Sequence, residues 1–372
     1  MGGVTVESLF EELAGTIEQW TVPPSRNLGW TEPLRPWRAT IDDALRVLAG
    51  DGRLARLDAL GHPLVESLVT IATRPLWSFF ATPEGRNRAL FELVQNLANP
   101  GRINQGLKGT CAAACVETYL AVQDPAEYAR LVAGLISTSG RATLRSGEEL
   151  VCDEDILLPS AGERGRNPIS RIFQVACMEF AYPDLDYDNI LDSHFKGEAC
   201  VGTGLEMGAF ERLLVAVTGK PWKTLSTQHA MMAKALAKLG ISTEGVADLA
   251  RDGLSILEQS TRKGEPVFAT IVLPAVTRLQ GNAGGEPIQH AAHKILVLSI
   301  DGEEGVVHYD DPIDPHERWF EGASVRIEDE LGRCSMPIAD FERLLGDLSY
   351  REDLWDRSLP RPEARVREAQ PA

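Results

Sequence analysis

The chain has 372 residues, 44% apolar and 24% charged, enough to bury a large core and not the composition of a disordered polymer. Its formal charge of −17, with no Lys/Arg cluster, argues against a nucleic-acid-binding surface, because neutralising phosphates takes clustered cations. No run approaches the roughly 20 apolar residues that span a bilayer, so no membrane partner is expected.

The opening MGGVTVESLFEELAG lacks a basic stretch followed by an apolar core, and Val6 stands where N-myristoylation wants Ser or Thr. A cytoplasmic protein is expected, with delivery as a secreted effector left open. Leu9, Phe10, Leu13, Ile17 and Trp20 repeat at helical spacing over 6–20. Further helices are expected at 40–49, with Thr40 as its cap, at 64–73, stopped by Pro75, and at 84–98. Asn99-Pro100-Gly101 then breaks the chain. Residues 1–99 therefore read as a helical region, with a docking role toward a protein partner possible.

An Ala-rich helix follows at 111–122. Another follows at 125–137, with Asp124 as its cap and Pro125 in its first turn. The polar, Gly-rich stretch 140–168 reads as a loop or weak hairpin. Helices resume at 170–181, 206–217, 228–239 and 253–262. Past Gly264 the period changes to short β-rich runs: Pro266–Leu273, Lys294–Ile300 and Val306–Asp310, the last two joined by a turn at Asp301-Gly302 to Gly305. A helix at Pro337–Leu345 and a frayed tail after Leu359 close the pattern. Helices first and an antiparallel sheet afterwards make an α+β chain.

The six cysteines, Cys111, Cys115, Cys152, Cys177, Cys200 and Cys334, do not form a disulfide framework by spacing, and Cys111/Cys115 has no second pair to complete a zinc site. No metal or cofactor is expected. Cys111 is the exception in chemical interest. It follows the loop Gln105-Gly-Leu-Lys-Gly-Thr110 and falls in the first turn of an apolar helix, where free N–H groups and the helix dipole stabilise a thiolate. Gln105 could reach over the same helix end as an oxyanion donor. Cys115, one turn further in, reads as core.

A thiol nucleophile needs a base. His62, His194 and His229 fall in helical or loop contexts, His308 inside a strand and His316 in a charged loop. His290 and His293 stand at the start of a buried strand, and the next strand returns through Val306-Val-His-Tyr-Asp310-Asp311-Pro312. That return brings Asp310 or Asp311 back beside His293, where a carboxylate can fix the imidazole tautomer.

These residues together resemble the papain-like cysteine peptidase superfamily. Gln105 and Cys111 match the spacing of its oxyanion glutamine and nucleophile, and Gly109-Thr110-Cys111 its small-small-Cys loop. Gly264-Glu265-Pro266-Val267, the histidine strand, Asp311-Pro312 and the Ile338-Ala339-Asp340-Phe341 helix are similar to the bacterial branch of bacteriocin-leader-processing (double-glycine) peptidases. The resemblance covers 100–350 and implies a papain-like fold: a helical subdomain carrying the Cys packed on a sheet carrying the His and Asp. It makes Cys111 the nucleophile, Gln105 the oxyanion residue, His293 the base and acid, and Asp311 the orienting carboxylate, with Asp310 the alternative. It departs at Ala112, where papain has an aromatic residue, and in the long stretch between Cys111 and His293, which implies an insertion at 140–205. The implied activity is hydrolysis of a peptide or isopeptide bond in a protein or peptide substrate. The same groups could serve a transglutaminase or acyltransferase, or persist in a non-catalytic binding protein.

Overall fold

The computed structural model describes residues 5–20, 37–153, 156, 163, 165–226, 247–274, 290–313, 324–329, 332–356 and 358. The helix expected at 228–239, His229, His316 and the tail from 359 lie outside these residues. The chain is α+β, with antiparallel sheets.

Helix α1 (Val6–Glu18) starts at a reciprocal cap: Thr5 Oγ1 accepts the Ser8 N–H and Ser8 Oγ accepts the Thr5 N–H. Helix α2 (Trp37–Gly50) begins three residues before the expected cap. Trp37 packs on the core and stacks on Trp20, with ring centroids 5.3 Å apart, and this burial extends the helix past Thr40, whose carbonyl accepts from Gln95 Nε2 instead. Helix α3 (Leu64–Thr73) and α4 (Pro83–Ala98) follow, the latter capped by Thr82 with Pro83 in its first turn.

Helix α5 (Cys111–Gln123) has no distinct polar face and is buried from Ala112 to Ala121, Glu117 and Thr118 included. Asp124 holds the cap position of α6 (Pro125–Leu135), but its carboxylate takes Arg145 at 2.6 Å rather than a helix N–H. Strands β1 (Arg141–Thr143) and β2 (Glu149–Val151) form a short hairpin. Helix α7 (Pro168–Ala181), inside the stretch expected to decorate the core, is itself core: Pro168 to Met178 are all buried. A three-stranded sheet follows in β3 (Asp186–Asp188), β4 (Ser193–Lys196) and β5 (Ala199–Gly202), none of it anticipated. His194 therefore lies in a strand, not in a helix or loop, with Nε2 3.3 Å from the Met178 carbonyl.

Helix α8 (Met207–Thr218) leads to β6 (Trp222–Ser226), and α9 (Ala247–Arg262) to the hairpin strands β7 (Val267–Pro274), β8 (His290–Asp301) and β9 (Val306–Asp310). The chain then adds β10 (Arg326–Ile327), β11 (Arg333–Pro337), α10 (Ile338–Leu344) and β12 (Leu345–Arg351). The main sheet has the order β10-β11-β9-β8-β7-β12-β6, with every neighbour antiparallel.

Alternation along the central strands buries both faces. Phe268, Leu296 and Trp222 join the helical cluster built from α1 to α8. Ala269, Ile271, Ile295 and Val297 join Ile256 and Leu257 of α9 and Phe341 and Leu344 of α10. Phe268 lies 5.4 Å from the Tyr119 ring and 5.3 Å from both Phe210 and Trp222, so it locks α5 onto the sheet. Truncating such a ring to Ala costs about 3–5 kcal/mol. The N-terminal helices share this one cluster with α5 to α8.

Candidate active site

The loop that leads into Cys111 is shaped by close contacts. Gly106 adopts φ +65°, open to glycine without strain. At Gly109 a Cβ would come within 3.0 Å of Thr203 Cβ, so a side chain there would have to push Thr203 aside. The Gly109 N–H donates to both Asp192 carboxylate oxygens at 2.9 Å, and Lys108 Nζ donates to the Asn189 carbonyl at 2.8 Å. Both ends of the loop meet Gln174, whose Nε2 donates to the Asn104 carbonyl (3.1 Å) and whose Oε1 accepts from Thr110 Oγ1 (2.9 Å). Thr110 occupies the cap position of α5 without capping it, so the first-turn N–H groups keep their positive potential beside Cys111.

The sheet delivers the other groups. His293 is the fourth residue of β8 and is buried, and Asp311 is the first residue after β9. His293 Nε2 lies 2.8 Å from Asp311 Oδ1. The ring also makes a side-chain hydrogen bond with Cys111. The Gln105 N–H donates to the Pro312 carbonyl at 2.8 Å, tying the loop ahead of Cys111 to the segment that carries Asp311.

Electrostatics separate the two cysteines. Burial alone would push the Cys111 thiol up. The hydrogen bond and charge of His293, the Lys294 N–H and the Lys294 charge outweigh it and hold the thiol below its usual value. Burial, with Cys111, Asp310 and Asp311 as neighbours, pushes Cys115 well up. Cys111 is partly exposed, whereas Cys115 is buried with Sγ on the Lys294 carbonyl at 3.4 Å. For His293, burial opposes the charged form, but the charge and hydrogen bond of Asp311 and the thiol of Cys111 lift it to about 10. Both shifts favour the thiolate–imidazolium form of the pair.

The structure thus brings together Cys111, His293 and Asp311. Asp310, the alternative carboxylate, is buried as the last residue of β9 and adds negative charge near Cys115. Gln105 is buried nearby, with Nε2 donating to the Lys108 carbonyl at 2.7 Å. His62 and His308 are engaged elsewhere, near Glu66 and Glu328. His290 begins β8, paired with Pro274.

Sequence reasoning passed over Lys294, Lys108, Asp192 and Gln174. Lys294 carried a visible signal, a lysine heading an apolar strand directly after the histidine. Its Nζ donates to Asp347 Oδ1 at 2.8 Å and lies 4.5 Å from the Phe210 ring centroid. The other three act through contacts between distant segments and carry no local pattern. No protein-family model matches this chain, and no curated protein matches it.

Proposed function

We propose that the protein is a papain-like cysteine peptidase that hydrolyses a peptide or isopeptide bond in a polypeptide substrate. One observation carries the reading: the imidazole that bonds Asp311 through Nε2 also interacts with the Cys111 thiol, at the mouth of an apolar helix. A buried histidine satisfied within a strand would need neither a thiol partner nor a thiol whose acidity is raised in spite of burial.

The chemistry follows from the charges. The Cys111 thiolate attacks the carbonyl carbon, forming a C–S bond and placing the electron pair on oxygen. The Cys111 N–H and the second N–H of the Gln105 amide are the donors for that oxyanion. Collapse breaks the C–N bond, and the His293 imidazolium gives its proton to the leaving amine. The now neutral imidazole takes a proton from water, whose oxygen attacks the thioester. The thiolate leaves, and the ion pair is restored. Asp311 holds the ring and balances its charge throughout.

An epoxysuccinyl probe tests this. Cys111 is labelled in the wild type and in Cys115→Ala, and labelling disappears in Cys111→Ala. Equal labelling of both cysteines, or none, refutes the reading. A labelled primary amine included with substrate distinguishes hydrolysis from transfer, since an acyltransferase would incorporate it.

A further inference from the structure

The turn joining β3 to β4 carries two large apolar side chains where tight turns ordinarily place Gly, Asn, Asp or Ser. Ile190 is 52% exposed and Leu191 62% exposed. The turn is nevertheless firmly built. Asp188 Oδ1 accepts the Ile190 and Leu191 N–H groups at 2.7 and 2.8 Å. Asp192, next in sequence, adopts φ +56°, a left-handed backbone that is costly for a residue with a Cβ. Its carboxylate is held by the Tyr187 hydroxyl at 2.6 Å and by the Gly109 N–H. With Lys108 Nζ on the Asn189 carbonyl and 3.4 Å from that of Ile190, the turn is fixed directly to the nucleophile loop just ahead of Thr110 and Cys111.

The fold gains nothing from leaving these side chains in water, yet it spends a left-handed residue and a buried lysine on fixing their turn against the loop that leads into Cys111. We propose that Ile190 and Leu191 form the apolar wall of a substrate subsite, so that the polypeptide attacked by Cys111 presents a large apolar side chain next to the scissile bond. The inference rests on the peptidase reading above. A second copy of this chain is a poorer occupant, because two chains of formal charge −17 repel.

The test uses matched peptidyl acyloxymethyl ketones bearing Leu or Glu at the two residues preceding the reactive ketone, with the rate of Cys111 modification read by mass spectrometry. Wild type reacts about tenfold faster with the Leu probe, the range expected for filling an apolar subsite. Leu191→Ser brings the ratio close to one, and Leu191→Lys, a second variant at the same exposed site, turns it in favour of the Glu probe. A wild-type ratio near one, or a ratio that neither variant moves, overturns the proposal. So does a variant whose only change is in oligomeric state, which would make the turn a self-association surface. Iodoacetamide carries no side chain for the turn to read. Failure of Cys111 to react with it below pH 8 therefore counts against the peptidase reading itself, separately from the subsite.

Discussion

His293 and Asp311 meet at 2.8 Å although one lies inside β8 and the other lies just past the end of β9. The carboxylate both orients the ring and stabilises its charge, and the ring in turn acidifies Cys111. Asp311→Asn should return the imidazole toward its ordinary range and raise the thiol. Iodoacetamide alkylation of Cys111 at pH 6 is then expected to slow by about tenfold or more, one unit of thiolate pKa being a factor of ten. Asp310→Asn should slow it far less. The two profiles measured side by side distinguish the carboxylates, and equal effects would remove Asp311 from its role.

Hydrolysis should show a bell-shaped pH dependence, while alkylation should not. The acid limb follows deprotonation of Cys111, below the usual thiol value. The alkaline limb lies near pH 10, where His293 gives up the proton the leaving amine requires. Alkylation needs no proton donor and therefore rises to a plateau. For stability the sign is the usual one for a histidine raised by a partner. The contribution of His293 is complete below its unfolded value of 6.5 and is lost as pH rises toward 10. A hydrolytic optimum that collapses near pH 7 would contradict the ion pair.

Much of the site is legible in the chain because its residues sit where periodicity changes: Cys111 at the first position of an apolar helix, His293 in a β-rich run, Asp311 after the hairpin returns. What cannot be read this way is fixed by contacts distant in sequence. The β3–β5 sheet has strands of three and four residues, too short for alternation to show, and β12 begins Leu345-Gly346-Asp347 directly after α10, so it reads as a helix end. The Gln105 amide turns to the Lys108 carbonyl, a rotamer no spacing rule predicts. Trp37 extends α2 because Trp20 is there to stack on it.

Lys294 gives a stability prediction with a built-in control. Its side chain is 6% exposed and that of Asp347 12%, so the pair is buried in the sheet. Lys294→Met leaves the Asp347 carboxylate buried without its cation and should cost about 3–5 kcal/mol in urea unfolding. Lys294→Met combined with Asp347→Leu should recover most of that, since a buried ion pair replaced whole by apolar groups is close to neutral. The single variant should also slow Cys111 alkylation at pH 6, because the Lys294 charge helps to lower the thiol. No recovery in the double variant would mean that the pair contributes more than mutual neutralisation.

Glu117 sets the pH dependence of the helical core. It is fully buried in α5 and accepts from Tyr128 (2.5 Å), Ser170 (2.9 Å) and Gln174 (2.9 Å), the residue that also holds Thr110 and Asn104. Burial pushes its carboxyl up to about 7, against the hydrogen bonds and Arg166, which favour the charged form. The folded state therefore binds this proton more tightly than the unfolded chain. The resulting stabilisation is complete below pH 4.5 and is lost as pH rises through 7. Wild type should lose stability between pH 5 and pH 8, and Glu117→Gln should shrink that difference by about 2 kcal/mol, whatever it does to absolute stability. Glu92, also pushed to about 7 by burial, keeps its own share of the slope in that variant. Urea midpoints at the two pH values read the effect, and an unchanged slope in Glu117→Gln would mean that Glu117 stays ionised in the fold. Because Gln174 links this carboxyl to the cap residue of Cys111, the same titration should appear as a small step near pH 7 in the alkylation rate of wild type and be absent from the variant.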